Sequence, residues 1–86
     1  MRHSASSAFW DAYAALPDDV QKLADRCYIA LKSNPTHPSL HYKAIGRFRS
    51  VRVGLHYRAL GVSVDDGVVW FWIGTHADYD KLLKKA

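Results

Sequence analysis

Ser50-Val51-Arg52-Val53-Gly54-Leu55-His56-Tyr57-Arg58-Ala59-Leu60 is the stretch whose reading decides the fold. Cationic and aromatic residues interleave there with β-branched and apolar ones. Period-2 alternation sends successive side chains of a strand to opposite faces, so this segment reads as sheet surface. One set of side chains meets a core; another, containing arginine and histidine, stays available for chemistry.

Working outward, the runs 40–45, 48–53, 55–64 and 68–73 are short and rich in Val, Tyr, Phe, Trp and Ile, and they are separated by Gly46, Gly54 and Asp65-Asp66-Gly67. Asp-Gly between two apolar runs is a hairpin signal, so the last two strands are expected to pair antiparallel. No helical segment divides these runs, which argues for a meander rather than parallel crossovers. On the N-terminal side, Phe9, Trp10, Tyr13, Ala14 and Leu16 recur at three- and four-residue spacing and predict a short amphipathic helix that Pro17 interrupts. Val20, Leu23, Ala24, Cys27, Ala30 and Leu31 form the stripe of a second helix, with Asp18 and Gln21 spaced as a capping box. Asn34-Pro35-Thr36-His37-Pro38 ends it. Residues 3–7 are a weak signal for an edge strand. Thr75-His76-Ala77-Asp78 has the capping-box form, followed by Tyr79, Leu82 and Leu83 at helical spacing. The expected fold is α+β: an N-terminal helical hairpin on a small twisted antiparallel sheet of about four strands, a possible N-terminal edge strand, and a short C-terminal helix.

With 86 residues the chain suits one domain, 1–86, with a single core. Twelve Lys and Arg against eight Asp and Glu give a formal charge of +4 and a sequence pI of about 9.4, a bias towards polyanions or an acidic partner. The lone Cys27 has no disulfide partner within the chain and suits a small buried hydrophobe. No run approaches the roughly 20 apolar residues of a membrane span, so no membrane partner and a cytoplasmic location are expected. No Gly-rich phosphate loop, Ser-His-Asp order or paired-carboxylate motif is present. His37 and His41 have a spacing seen in zinc sites, but Pro35 and Pro38 break the helix that would align them, so no metal is expected. Trp70 and Trp72, two apart on one strand, are expected to share a core-facing side.

The order of two helices and then strands resembles the RelE/ParE superfamily of bacterial toxins of type II toxin-antitoxin systems. The resemblance is carried by Pro17-Asp18-Asp19-Val20-Gln21, Val51-Arg52-Val53-Gly54, Tyr57-Arg58 and Trp72-Ile73-Gly74-Thr75-His76, and it spans about residues 9–83. It implies a toxin that is either a metal-independent mRNA endoribonuclease acting at the ribosome, without a cofactor, or a non-catalytic inhibitor of DNA gyrase. An inactive homologue is the third reading. A cognate antitoxin is the implied protein partner. Residue by residue, Arg58 matches the arginine of a Tyr-Arg motif, His76 falls at or beside the basic position after the last strand's glycine, and Arg49 falls near a basic position of the third strand. These three are the implied catalytic residues. Arg52, His56, Tyr57 and Tyr79 are the implied RNA-binding set.

The residue chemistry is compatible with that role. Cleavage through the 2'-hydroxyl needs a base, cationic stabilisation of the phosphorane and an acid for the 5' oxygen. Arg58 offers planar, permanently charged donors to non-bridging oxygens, and the imidazole of His76 both accepts and donates protons. Arg49 and Arg52 have opposite strand parity, so the two cannot serve one face.

Overall fold

The computed structural model describes residues 2–85, and it opens on a strand: β1 (Arg2–Ala5) precedes α1 (Ser7–Ala14) and α2 (Asp18–Ser33). Four strands and a helix follow, namely β2 (Lys43–Ile45), β3 (Phe48–Val53), β4 (Tyr57–Val64), β5 (Gly67–Thr75) and α3 (His76–Lys85). The sheet order is β1-β5-β4-β3-β2. β2 to β5 form the expected antiparallel meander, whereas β1 pairs with β5 in parallel, from Arg2 opposite Gly67 to Ala5 opposite Trp70. The α+β architecture therefore stands with two corrections. The helices do not come first, because the N-terminal edge strand that the sequence offered only weakly is present as β1, and its parallel pairing makes the sheet a mixed one of five strands. Tyr28 donates its hydroxyl to the His3 carbonyl at 2.8 Å and Trp70 donates its indole N–H to His3 Nδ1 at 3.2 Å, so contacts distant in sequence hold β1.

The helices follow their local chemistry, with one exchange of partners. Ser6 Oγ accepts from the Phe9 amide at the start of α1. At α2, Pro17 occupies the N-cap, Asp18 and Asp19 fill the first turn, and no side chain caps the helix. The expected Asp18–Gln21 capping box does not form. Gln21 Nε2 instead donates back to the Tyr13 and Leu16 carbonyls at 3.0 and 3.4 Å, satisfying the end of α1 rather than the start of α2. After α2 the expected strand from residue 40 is delayed. Pro38–Leu40 makes a 3-10 turn and His41 takes a left-handed conformation (φ 46), so pairing begins only at Lys43.

The core lies between α1, α2 and one face of the sheet. Val20, Ala24 and Leu31 of α2 meet Val51, Val53, Ala59, Trp70 and Ile73, all buried. Each such aliphatic side chain contributes about 1.5–3 kcal/mol by leaving water, so this face supplies most of the stability. A β-bulge interrupts β5: Leu60 faces Trp72 but Gly61 faces Trp70, leaving Phe71 as the extra residue. Trp70 therefore joins the helix-packed core while Trp72 falls with Leu60 on the other side, contrary to the shared face that their spacing suggests. Gly61 is required at this crossing, because a Cβ there would lie 2.7 Å from Val68 Cγ1 and 2.9 Å from Trp70 Cε3.

Candidate functional site

Ser50 to Leu60 is a hairpin broken where Gly54 separates the two runs: the end of β3, a turn at Gly54 with φ +64, and the start of β4. Residues directly opposite each other in a ladder point to the same face. Val51 pairs with Ala59 and Val53 with Tyr57 on the core side; Ser50 pairs with Leu60 and Arg52 with Arg58 on the other. The second face thus presents two guanidinium groups opposite each other. Lys43, across from Ser50, adds a third cation on β2. Like charges in such register repel unless partners or a ligand offset them.

α3 lies against this face and brings its chemistry with it. Thr75 Oγ1 accepts from the Asp78 amide at 3.2 Å, as the cap motif predicts, and the His76 amide donates to the His56 carbonyl at 2.8 Å. These bonds tie the helix start to the β3–β4 turn. Tyr79 is buried and central. Its hydroxyl donates to Ser50 Oγ at 3.0 Å, the Arg58 guanidinium sits 5.8 Å from its ring centroid, and the His76 ring lies 6.0 Å away. The cation over the ring is a favourable electrostatic contact. His76 Nδ1 lies 3.3 Å from Asp80 Oδ2, one helical turn on, and that contact leaves Nε2 as the nitrogen available to another group.

The three arginines of the hairpin differ in what already occupies them. Arg49 stands on the opposite face from Arg58 and donates Nη1 to the Gly46 and Phe48 carbonyls at 3.0 and 2.9 Å. Arg52 donates Nε to the Gly54 carbonyl at 2.9 Å, with Nη1 3.3 Å from His41 Nε2. Arg58 donates to no carbonyl or carboxylate among the described residues, so its bidentate fork is open to a ligand. The fold therefore gathers Arg58, His76 and Tyr79 with Arg52 beside them. It sets Arg49 and the half-buried Tyr57, which packs on the core, on the other face. His56 is exposed in the turn that α3 rests on.

Sequence reasoning passes over Asp80, gives Ser50 no role and weighs His41 only as a metal ligand. Asp80 is legible as the i+4 neighbour of His76, and Ser50 shares the parity of Arg52; the left-handed His41 has no local signal. Two other candidates resolve into structural roles. Burial pushes the Cys27 thiol up from its ordinary range, and its Sγ lies 3.8 Å from the Arg52 carbonyl, which suits an inert packing group. His37 Nδ1 is held by Ser39 and His41 by Arg52, and among the described residues no three His, Cys, Asp or Glu side chains gather as metal ligands. No helix among those residues is long and apolar enough to cross a membrane.

No protein-family model matches the chain and no curated protein is significantly similar to it. Solved structures are similar over nearly its full length. The RelE toxin fold in the RelB–RelE antitoxin-toxin complex from Methanococcus jannaschii superposes with a TM-score of 0.71 at 13% identity, covering 91% of this chain and 95% of that one. The YoeB/ParE toxin from Agrobacterium tumefaciens gives 0.66 at 13% identity, over 88% and 99%. The isolated RelE toxin of E. coli gives 0.62 at 11% identity, over 96% and 95%. The chain has the fold of RelE-like toxins.

Proposed function

We propose that this protein is the toxin of a type II toxin-antitoxin pair and acts as a metal-independent endoribonuclease on mRNA at the ribosome, held inactive by a cognate antitoxin. The observation that carries the reading is the uncommitted guanidinium of Arg58, set beside Tyr79 and His76 on a cationic sheet face. In this reading Arg58 holds the non-bridging oxygens of the scissile phosphate and offsets the charge of the phosphorane. His76 moves a proton through Nε2 while Asp80 fixes the ring at Nδ1. The 2'-hydroxyl gives its proton to His76 Nε2 as its oxygen attacks phosphorus, the bond from phosphorus to the 5'-oxygen breaks to leave a 2',3'-cyclic phosphate, and the 5'-oxygen takes up a proton from water. Tyr79, its hydroxyl engaged by buried Ser50, acts as the support on which the arginine and the imidazole rest. Arg52 adds positive charge beside the phosphate path.

Induced expression without antitoxin, followed by mapping of new mRNA 5' ends, tests the proposal. Growth arrest with cuts at codon-spaced sites is expected for the wild type. Arg58→Ala is expected to lower cleavage by about 10²–10³-fold, the usual effect of removing one transition-state donor. Arrest with intact transcripts, together with inhibition of purified gyrase, would overturn the ribonuclease reading.

A further inference from the structure

Trp70 and Trp72 are two residues apart, yet the bulge gives them different surroundings. Trp70 is 2% exposed, whereas Trp72 stays half-buried on the α3 face. The benzene end of the Trp72 indole lies against Gly74: a Cβ at that position would fall 2.5 Å from Cζ2 and 2.9 Å from Cη2. Gly74 is the cross-strand partner of Arg58, so the missing side chain lets the indole lie over the ladder position opposite Arg58. β1 ends at Ala5, opposite Trp70, and no strand flanks β5 on that side beyond it. The indole consequently borders two open clefts, one lined by Asp78, Lys81 and Leu82, the other by Leu16, Pro17, Tyr57 and Thr75. Neither the Asp78 carboxylate nor the Lys81 ammonium is ion-paired among the described residues.

Trp72 keeps part of its indole open where Trp70 is enclosed. Here a half-open aromatic surface borders a cation and a free carboxylate, with the uncommitted guanidinium on the neighbouring strand. That combination suits an unpaired nucleotide, because stacking accepts any base while phosphate and base-edge groups take the cations and the carboxylate. We propose that Trp72 is the stacking platform for an unpaired base adjoining the phosphate held by Arg58. Lys81 serves the neighbouring phosphate and Asp78 accepts N–H donors from the base edge. The assignment rests on the ribonuclease reading above.

The test uses a short single-stranded RNA carrying 2'-O-methyl groups throughout, which binds without being cleaved, and the Trp10→Phe variant, in which Trp72 is the only indole not enclosed. RNA is expected to quench the fluorescence of that variant. Trp72→Ala is expected to weaken RNA binding about tenfold, and Trp72→Phe, which keeps a π-face, by about threefold or less. Inorganic polyphosphate, which has no bases, is expected to bind all of these variants alike. RNA binding without quenching, or equal affinity in Trp72→Ala, overturns the platform while leaving the ribonuclease reading intact. Failure of the wild type to bind this RNA overturns the platform, while the ribonuclease reading stands or falls on the cleavage map. Should Trp72→Ala lose its fold by circular dichroism, the quenching of Trp10→Phe and the affinity of Trp72→Phe decide the matter.

Discussion

The two faces of the sheet are built on different terms. Towards α1 and α2, Val51, Val53, Ala59, Trp70 and Ile73 interlock with an apolar helix stripe, and a cavity of about 60 Å³ bordering them beside Phe9 and Cys27 is apolar too. Towards α3, two arginines oppose each other, a fully buried serine binds a tyrosine hydroxyl, and a single ten-residue helix provides the cover. Burial alone explains the first face. The second spends stability on placing charge, since facing cations and a buried polar pair contribute little to folding. Changes on the helix-packed face should therefore read out in stability, and changes to the charged groups of the α3 face in binding and activity.

Trp70→Ala would strain that division most. The indole is buried, spans the cavity wall and donates to His3, so its removal is expected to cost about 3–5 kcal/mol and to loosen β1. Urea unfolding followed by circular dichroism measures it; a loss below about 1 kcal/mol would show that this face is not the main source of stability. Next in size comes Gly61→Ala, where a methyl group meets Val68 and Trp70 at under 3 Å in a packed interior. About 1–3 kcal/mol is expected from overpacking, in the same assay, with no separate effect on RNA binding by the folded fraction.

On the α3 face the Tyr79–Ser50 pair supplies a sharper test. Tyr79→Phe leaves Ser50 Oγ buried without its donor, and Ser50→Ala leaves the tyrosine hydroxyl without its acceptor. Each is expected to cost about 1–2 kcal/mol, while the double variant costs no more than one single, because removing both partners leaves nothing unsatisfied. Additive losses in the denaturation cycle would mean that the pair is not coupled. Tyr79→Phe keeps the ring under Arg58, so cleavage should fall far less than in Arg58→Ala.

The same contrast explains what was legible in the sequence. β3 is read from its β-branched alternation with its bounds intact, α2 from its stripe, and the β4–β5 hairpin from Asp66-Gly67, because these signals are local and one-sided burial enforces them. β1 is four residues with little apolar content, and its parallel pairing depends on Tyr28 and Trp70, distant in sequence. The bulge at Phe71 has no composition signature, and one extra residue is enough to reverse the facing of Trp72. At the site, strand parity separates Arg49 from Arg52. It does not show which arginine is already occupied, since the carbonyls of Gly46, Phe48 and Gly54 that bind Arg49 and Arg52 belong to turn geometry. The Ser50–Tyr79 bond, 29 residues long in sequence, appears only once α3 closes over the sheet.

His3 supplies the smallest effect and the one titratable group that the helix-packed face holds from β1. An indole N–H only donates, so His3 Nδ1 must accept, which requires the neutral ring with its proton on Nε2. Burial likewise lowers the His3 pKa from the ordinary 6.5. The folded state then binds fewer protons than the unfolded chain just below pH 6.5, so protonation favours unfolding and stability falls as pH drops from 6.5 towards the lower folded value. Above 6.5 both states are neutral at this residue and the contribution is constant. His3→Gln removes the titration while offering an amide oxygen to Trp70, so the variant should lose less stability between pH 7.5 and 5.5 than the wild type. The other four histidines are common to both proteins, and the difference between the two thermal melting curves isolates His3. Parallel losses would mean that β1 is held by Tyr28 and the backbone ladder alone.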